Sequence, residues 1–425
     1  MKVEFFLAGR MRLSPASGSK RSAGVVIAVT GIALAMAVML VSVAVMLGFK
    51  HQIREKVMGF DSQLTIVAQT ARAAGAADES ADAPIVRFTP QLKAIVESAL
   101  PPDARMSLTA RRPGILKTDS AFTGVLLKGL SSDAGAPFIE SCITRGSMPD
   151  FSADSTLYNI VVSETVARQL NLKVGSRIYG YFFNGAQPRA RRLTVKGIYD
   201  THFGDYDGLY VFGSIEMLRR MCGLGPDTGS AIEITGLKSD EEIDECGRIL
   251  SSALMQGYYD GTTDRTLYTV ANVHDTAALY FNWLSLLDTN VVVILLLMGL
   301  VAGLTLVSSL FIIILERVSM IGILKALGAG NRLIERTFII VAERLVVRGL
   351  AIGNAVGLGL IIVQRQWHLL PLNPEAYYLD YVPAEINWWW VLGLNLAVVA
   401  VAALVLILPS RIIATLSPAS SMRYE

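Results

Sequence analysis

Charge is scarce in this sequence. Only 17% of its 425 residues are Asp, Glu, Lys or Arg, against about 25% in soluble domains. With 52% hydrophobic residues, the chain has too much apolar surface to stay disordered and too little charge for a typical cytosolic enzyme. The 38 basic and 36 acidic residues leave a net charge of +2. No polyelectrolyte field results, which excludes an ordinary nucleic-acid binder. Cysteine is nearly absent: Cys142, Cys222 and Cys246 are odd in number and unrelated in spacing, so neither a disulfide framework nor a zinc site is expected. The four histidines, His51, His202, His274 and His368, are scattered, and none has a partner at helical ligand spacing. There is no G-x-x-x-x-G-K-[ST] phosphate cradle, no H-E-x-x-H and no G-x-S-x-G. Ser17 and Lys20 fit S-x-x-K but lie in a short basic stretch beside an apolar run. His202, Asp205 and Asp207 form a polar turn that could hold a cation. No catalytic residue, metal or resident cofactor is expected.

Apolar residues are abundant and gathered into four runs. Gly24–Phe49 is free of charge and bracketed by Arg21 and Lys50. At ~1.5 Å per residue it reaches about 39 Å, enough for a ~30 Å hydrocarbon core. It is too long for a cleaved signal peptide and ends in Gly48-Phe49-Lys50-His51 without a small-residue cleavage site. Val291–Leu315 and Trp388–Leu408 are charge-free, the latter opening on three tryptophans that suit a membrane interface. Thr337–Val363 is apolar but carries Glu343, Arg344 and Arg348. Headgroup snorkelling, a cytoplasmic partner or an internal ion pair would account for those charges.

Lys and Arg distribution gives an orientation. Lys2, Arg10, Arg12, Lys20 and Arg21 precede the first run, and Arg317, Lys325, Arg332 and Arg336 lie between the second and third. The positive-inside rule puts both termini and residues 316–336 in the cytoplasm. The expected fold is membrane α-helical with an α+β extracytoplasmic domain and four transmembrane helices in a one-plus-three arrangement. Its expected parts are a cytoplasmic segment 1–23, span 24–49, an α+β domain 50–285, span 286–315 and a cytoplasmic segment 316–336. Span 337–363, a short external loop 364–387, span 388–410 and a cytoplasmic tail 411–425 complete it. In a bacterial inner membrane the large domain is periplasmic.

Within 50–285, alternating Val, Ile, Thr, Tyr and Phe predict strands at 64–68, 108–116, 124–130, 157–163, 177–183, 192–199 and 231–235. Helices are expected at 90–100, 164–170, 214–221 and 239–255, with Thr89, Ser163, Ser214 and Ser239 as N-caps. Residues 71–84 read as a loop, and 140–150 as a divider between two lobes. Phe183–Arg192 reads as a hairpin connection carrying Asn184-Gly185, Pro188, Arg189, Arg191 and Arg192. It is either a solvated turn with basic flanks or an exposed hook that grips a partner.

Gly349, Gly353 and Gly357 recur every fourth residue, as do Gly299 and Gly303. Such spacing lets helices approach closely, either for ordinary packing or for a sliding face. Residues 316–336 are amphipathic, with Ile321, Leu324 and Leu327 on one stripe. They suit the bilayer surface or docking to a cytoplasmic motor.

Gly31-Ile32-Ala33-Leu34 and Leu47-Gly48-Phe49-Lys50, with Arg54 and Gly59, resemble the start of the LolC/LolE lipoprotein-releasing permeases. Glu316–Ala329, read as E-R-x-x-x-I-G-I-L-K-A-L-G-A, resembles the motif after the second span of the wider FtsX/MacB-type permeases. Tyr377-Tyr378, Tyr381, Val382 and Pro383 resemble the short external loop of the LolC/LolE group. Leu408-Pro409-Ser410, Leu416-Ser417-Pro418 and Arg423-Tyr424-Glu425 resemble its ending. The likeness is closest at the two ends and looser across 70–285.

The resemblance implies a non-catalytic permease subunit of an ABC transporter, paired with an identical or homologous second permease subunit. ATP would be bound by separate ATPase subunits. Lipoprotein cargo would leave the membrane for a periplasmic carrier. It implies ATPase coupling at Glu316, Ile321, Leu324, Lys325 and Gly328, and a carrier-binding loop at Pro188, Arg189 and Arg191. Met36, Met39 and Met46 are candidates for an acyl-lined cavity, because Met adapts to varied shapes; plain lipid-facing surface is the competing reading. A motor is needed because one acyl chain of about 14 methylenes is held by roughly 11 kcal/mol. The alternative is a MacB/FtsX-type mechanotransmitting permease for efflux or for regulating a cell-wall hydrolase. A membrane-bound enzyme or receptor is a third reading, for which the sequence offers no pocket signature.

Overall fold

The computed structural model describes residues 23–69, 85–131, 136–151, 154–184 and 187–405. The segment 1–22 with Ser17 and Lys20, the loop expected at 71–84, and the tail with its Leu408-Pro409-Ser410 and Leu416-Ser417-Pro418 stretches lie outside the described residues. The longer helices are α1 (Ala23–Phe60), α2 (Asp240–Tyr259), α3 (Ala278–Glu316), the short α4 (Val318–Ala326), α5 (Asn331–Trp367) and α6 (Trp388–Val405). Four of these, α1, α3, α5 and α6, are long and apolar enough to cross a membrane. The chain divides into two compact units, one of residues 1–51, 283–371 and 381–425, the other of 52–282 and 372–380.

In the helical unit, helices outrun the apolar runs. α1 continues to Phe60 rather than stopping near 49, α3 begins at Ala278, and α5 begins at Asn331. Apolar composition marks how much helix suits lipid. Backbone hydrogen bonding continues into charged sequence that holds no proline. Helix contact is governed by small residues. A Cβ placed on Gly349 would come within 2.8 Å of Ile32, one on Gly353 within 2.7 Å of Met36 Cβ, and one on Gly357 within 3.0 Å of Leu40. Ile32, Met36 and Leu40 are themselves four residues apart, so one face of α1 seats directly on the glycine face of α5. Gly31 of α1 meets Thr305 of α3 in the same way, at 2.5 Å. Between α5 and α6 one polar pair stands in an apolar cluster. Asn354 Nδ2 donates to Asn395 Oδ1 at 2.8 Å, and Asn395 Nδ2 donates back to Asn354 Oδ1 at 3.1 Å.

The other unit is α+β. Its strands are β1 (Leu64–Ala68), β2 (Val86–Arg87), β3 (Arg105–Lys117), β4 (Phe122–Leu130), β5 (Ile143–Gly146) and β6 (Asn159–Ser163). β7 (Arg177–Asn184), β8 (Gln187–Tyr199), β9 (Tyr210–Ser214), β10 (Thr228–Gly229), β11 (Ala231–Thr235) and β12 (Tyr268–Asn272) follow. One sheet runs β12-β1-β11-β3-β4-β9-β6-β8-β5, and β7 bridges β3 and β8. That bridge closes β3, β4, β9, β6, β8 and β7 into a ring, which leaves β12 and β5 as the outer strands of the sheet. β1 shows why these residues form strands: Leu64, Ile66 and Ala68 are buried while Thr65 and Val67 alternate outward. Thr89, Ser163, Ser214 and Ser239 each accept an N-terminal backbone N–H of the helix that follows, satisfying donors that would otherwise be orphaned. Residues 140–150 do not form a divider; β5 within them pairs antiparallel with β8, so a register of backbone bonds runs through the expected boundary.

The last turns of α1 belong to this unit, and charges fix them there. Phe60 is fully buried, with ring centroids 4.8 Å from Tyr206 and 5.6 Å from Tyr210. Lys128 Nζ donates to the Phe60 carbonyl at 2.7 Å, placing a cation at the helix C-terminus, where the macrodipole favours it. Lys128 also pairs with Glu233 at 2.9 Å, and Arg111 bridges Glu233 and Asp61 at 2.7 and 3.1 Å.

Candidate functional site

The helical unit holds an apolar cleft of about 690 Å³ between α3 and α6. Leu295, Gly299 and Gly303 of α3 and Leu394, Val398 and Val401 of α6 line it, with Met39 of α1 reaching in. Every residue lining the cleft is apolar, so it offers nothing to a polar ligand and accepts hydrocarbon. Gly303 creates part of the space, since a Cβ there would stand 3.2 Å from Val405. Of the three methionines picked out in the sequence, Met39 reaches this cleft. Met36 is fully buried beneath Gly353, and Met46 is buried among the packed helices. The glycines separate likewise: Gly299 and Gly303 edge the cleft, whereas Gly349, Gly353 and Gly357 pack on α1.

The segment after α3 is helical over Val318–Ala326. Ile321 is 1% exposed and packs with Ile313, Ile334, Phe338 and Leu345, which ties α4 to α3 and α5. Leu324 and Lys325 are half-buried, and Glu316 is exposed. Ile323 and Leu327 are exposed, at 55% and 80%, so α4 presents a second, outward apolar side. Gly328 ends it with φ +91°, and Ala329 N–H bonds back to the Leu324 carbonyl at 2.9 Å. Only a residue tolerant of the left-handed region closes a helix this way without strain.

The basic stretch after Phe183 is a strand rather than a connection. β7 and β8 pair from Arg177↔Thr194 to Asn184↔Gln187, with Pro188 opposite Phe183 and Arg189 opposite Phe182. Arg189, Arg191 and Arg192 are exposed. Alternation puts Arg189 and Arg191 on one face of β8 and Arg192 on the other. Residues 185–186 at the turn lie outside the described residues.

The α+β unit also contains charged residues that sequence patterns did not single out. Glu233 is 6% exposed. Burial pushes its carboxyl up, but Lys128 and Arg111 outweigh that and hold it below the ordinary glutamate value. Lys56 donates to the carbonyls of Thr201 and Tyr378 at 2.6 and 2.7 Å, and burial draws its ammonium down despite nearby Asp380 and Asp207. Asp207 accepts from Thr201 and from the Phe203 N–H. Asp207 is therefore committed to Thr201 and Phe203, and Asp205 accepts from the Tyr280 and Tyr378 hydroxyls at 2.8 and 3.0 Å. Among the described residues, no group of three or more His, Cys, Asp or Glu side chains is arranged to hold a metal. The available sequence signal was a single charge inside an apolar strand: Lys128 in Val125–Leu130 and Glu233 in Ala231–Thr235.

Comparison with known families agrees with this arrangement. The MacB-like periplasmic core domain matches residues 25–248, just over half of the chain, and the FtsX-like permease C-terminal domain matches 292–418. The chain belongs to the LolC, MacB and FtsX family of permeases. It is an ABC transporter permease of the bacterial inner membrane, with its α+β domain in the periplasm. Lipoprotein-releasing system transmembrane protein LolC of Xylella fastidiosa is 21% identical over 428 residues, covering 93% of each chain. The LolC of Neisseria meningitidis is 23% identical over 417 residues, covering 94% of each. Among solved structures, the periplasmic region of MacB from Actinobacillus actinomycetemcomitans is 12% identical, covering 54% of this chain and 97% of that one, with a TM-score of 0.33. The extracellular domain of the noncanonic ABC-type transporter YknZ from Gram-positive bacteria is 16% identical, covering 49% of this chain and 99% of that one, with a TM-score of 0.32.

Proposed function

We propose that this permease is the membrane subunit of an ABC transporter that extracts lipoproteins from the inner membrane and hands them to a periplasmic carrier. The observation that carries the reading is likeness to two LolC proteins over more than nine-tenths of the chain. The cleft between α3 and α6 supports it, being apolar throughout and of a size to take acyl chains. The sequence has no P-loop, so ATP is bound and hydrolysed by a separate ATPase, and the permease works beside a second permease subunit. The helices cross the membrane one before and three after the periplasmic domain, with both termini in the cytoplasm.

In this reading Glu316, Ile321, Leu324, Lys325 and Gly328 couple the ATPase to the helices. α4 suits that role: it is anchored through Ile321 and presents Ile323 and Leu327 outward. Pro188, Arg189 and Arg191 contact the carrier from β8, close to the hairpin turn. Met39 contacts the acyl chains. Depleting the protein tests the whole reading. Outer-membrane lipoproteins should accumulate in the inner membrane. Normal lipoprotein sorting, with altered efflux or cell-wall hydrolysis instead, would select the mechanotransmitter alternative.

A further inference from the structure

α5 is a membrane helix with two arginines on its outward side. Arg344 and Arg348 are both exposed, as are Val347 and Ala351, and the four stand at i, i+3, i+4 and i+7. Val347 is 58% exposed. The same side continues toward the C-terminus through Ile352, Ala355 and Val356, all exposed and all apolar. The opposite side, carrying Leu345, Val346 and Gly349, is buried. At about 100° per residue, Arg344 and Arg348 lie about 40° apart, whereas Glu343 is turned about 140° from Arg348.

Depth can be read from the helix pairing. The amides of Asn354 and Asn395 set one level on α5 and α6. Trp388, Trp389 and Trp390 open α6 and are exposed at 68%, 81% and 44%, as befits rings at a membrane interface. Trp388 stands seven residues from Asn395, about 10 Å along the axis. A ~30 Å core then reaches about 20 Å to the other side of the amide pair, near residue 341 of α5. Arg344 lies about 5 Å inside that boundary and Arg348 about 10 Å inside. Guanidinium groups at such depths extend along the helix to reach phosphate, and a phosphodiester accepts their paired N–H groups.

We propose that Arg344 and Arg348 form a binding site for the phosphodiester headgroup of an anionic phospholipid of the cytoplasmic leaflet, with an acyl chain lying along Val347, Ala351, Ile352 and Ala355. Charge complementarity selects this occupant. Arg332 and Arg336, also exposed on α5, add positive charge toward the headgroup side, which favours a lipid of net negative charge over a zwitterionic one.

The test is native mass spectrometry of the delipidated full chain titrated with phosphatidylglycerol or phosphatidylcholine. The wild type should bind phosphatidylglycerol about tenfold more tightly. An Arg344→Gln/Arg348→Gln variant should bind both alike, and an Arg344→Lys/Arg348→Lys variant should keep most of the preference. Equal binding by the wild type, or a preference that survives the Gln pair, overturns the site. So does a preference abolished by millimolar inorganic phosphate, which would mark a free-anion site. Loss of a protein partner from the Gln variant at an unchanged lipid ratio also overturns it, because the face would then be a protein interface.

Discussion

Asn354 and Asn395 face one another across α5 and α6 and exchange two amide hydrogen bonds, at 2.8 and 3.1 Å. Each also donates to the carbonyl four residues before it, Leu350 and Val391. Away from water, an amide stripped of its partner keeps its desolvation cost. Asn354→Leu or Asn395→Leu alone should therefore lower stability in detergent by about 1 kcal/mol, within the ~0.6–1.7 kcal/mol found for such bonds between membrane helices. The double replacement should cost less than the sum of the two. A double-mutant cycle on thermal unfolding measures this; strict additivity would show that the amides do not act as a pair.

The glycine face of α5 is filled by α1. A methyl on Gly353 would sit 2.7 Å from Met36 Cβ and 2.8 Å from the Ala33 carbonyl, atoms close to or in the backbone that cannot swing aside. Gly353→Ala should destabilise the helical unit by about 1–3 kcal/mol through overpacking. Gly359→Ala, whose new methyl meets nothing within 4 Å, should be neutral or slightly stabilising. Matched melting curves of the two variants decide it.

Glu233 is held ionised by Lys128 and Arg111 at 2.9 and 2.7 Å. Because its folded value lies below its unfolded one, its contribution is complete at neutral pH. That contribution is lost as pH falls below the ordinary glutamate range and through the folded value. Glu233→Gln leaves Lys128 buried without its counter-charge and should cost about 3–5 kcal/mol at pH 7. The difference between wild type and variant should shrink in acid. Denaturant unfolding of the full chain at pH 7 and pH 3.5 measures it, and a constant difference would place the stabilisation elsewhere.

Gly328 holds φ +91° with open space around it. Gly328→Ala meets no atom, so its cost is conformational, about 1 kcal/mol, and the chain should still fold. Within the proposed transporter, the changed exit from α4 should weaken the link between ATP hydrolysis and cargo release. ATPase rate and lipoprotein release, measured on the same preparation, should separate. Unchanged coupling would remove Gly328 from the transmission path.

How much of this was legible in the sequence depends on the range of the interaction. β1 was readable because Leu64, Ile66 and Ala68 alternate with outward residues, and the caps at Thr89, Ser163, Ser214 and Ser239 because each acts within three residues of itself. β8 begins at Gln187, before its sequence reads as a strand. Pro188 and the arginines after it look like a loop, since proline supplies no N–H. Yet Pro188 sits beside the turn opposite Phe183, where one missing donor is tolerated. The four residues of β5, three of them exposed, give no period to read. The Lys128–Glu233 pair and the Asn354–Asn395 pair show as single polar residues in apolar stretches. Their partners are set by packing, and nothing local announces them. The segment that forms α4 was legible as an amphipathic stretch, whereas the split of Met36, Met39 and Met46 between packing and cleft depends on which neighbour each face of α1 meets.

Reconstitution addresses the central claim most directly. The permease would be purified from native membranes with its co-purifying ATPase and placed in proteoliposomes carrying a triacylated outer-membrane lipoprotein. Lipoprotein appearing in the soluble fraction would then be measured with and without ATP. Release that requires both ATP and a lipoprotein-binding carrier is the predicted result. ATP hydrolysis at a normal rate with the lipoprotein left in the bilayer would contradict the account.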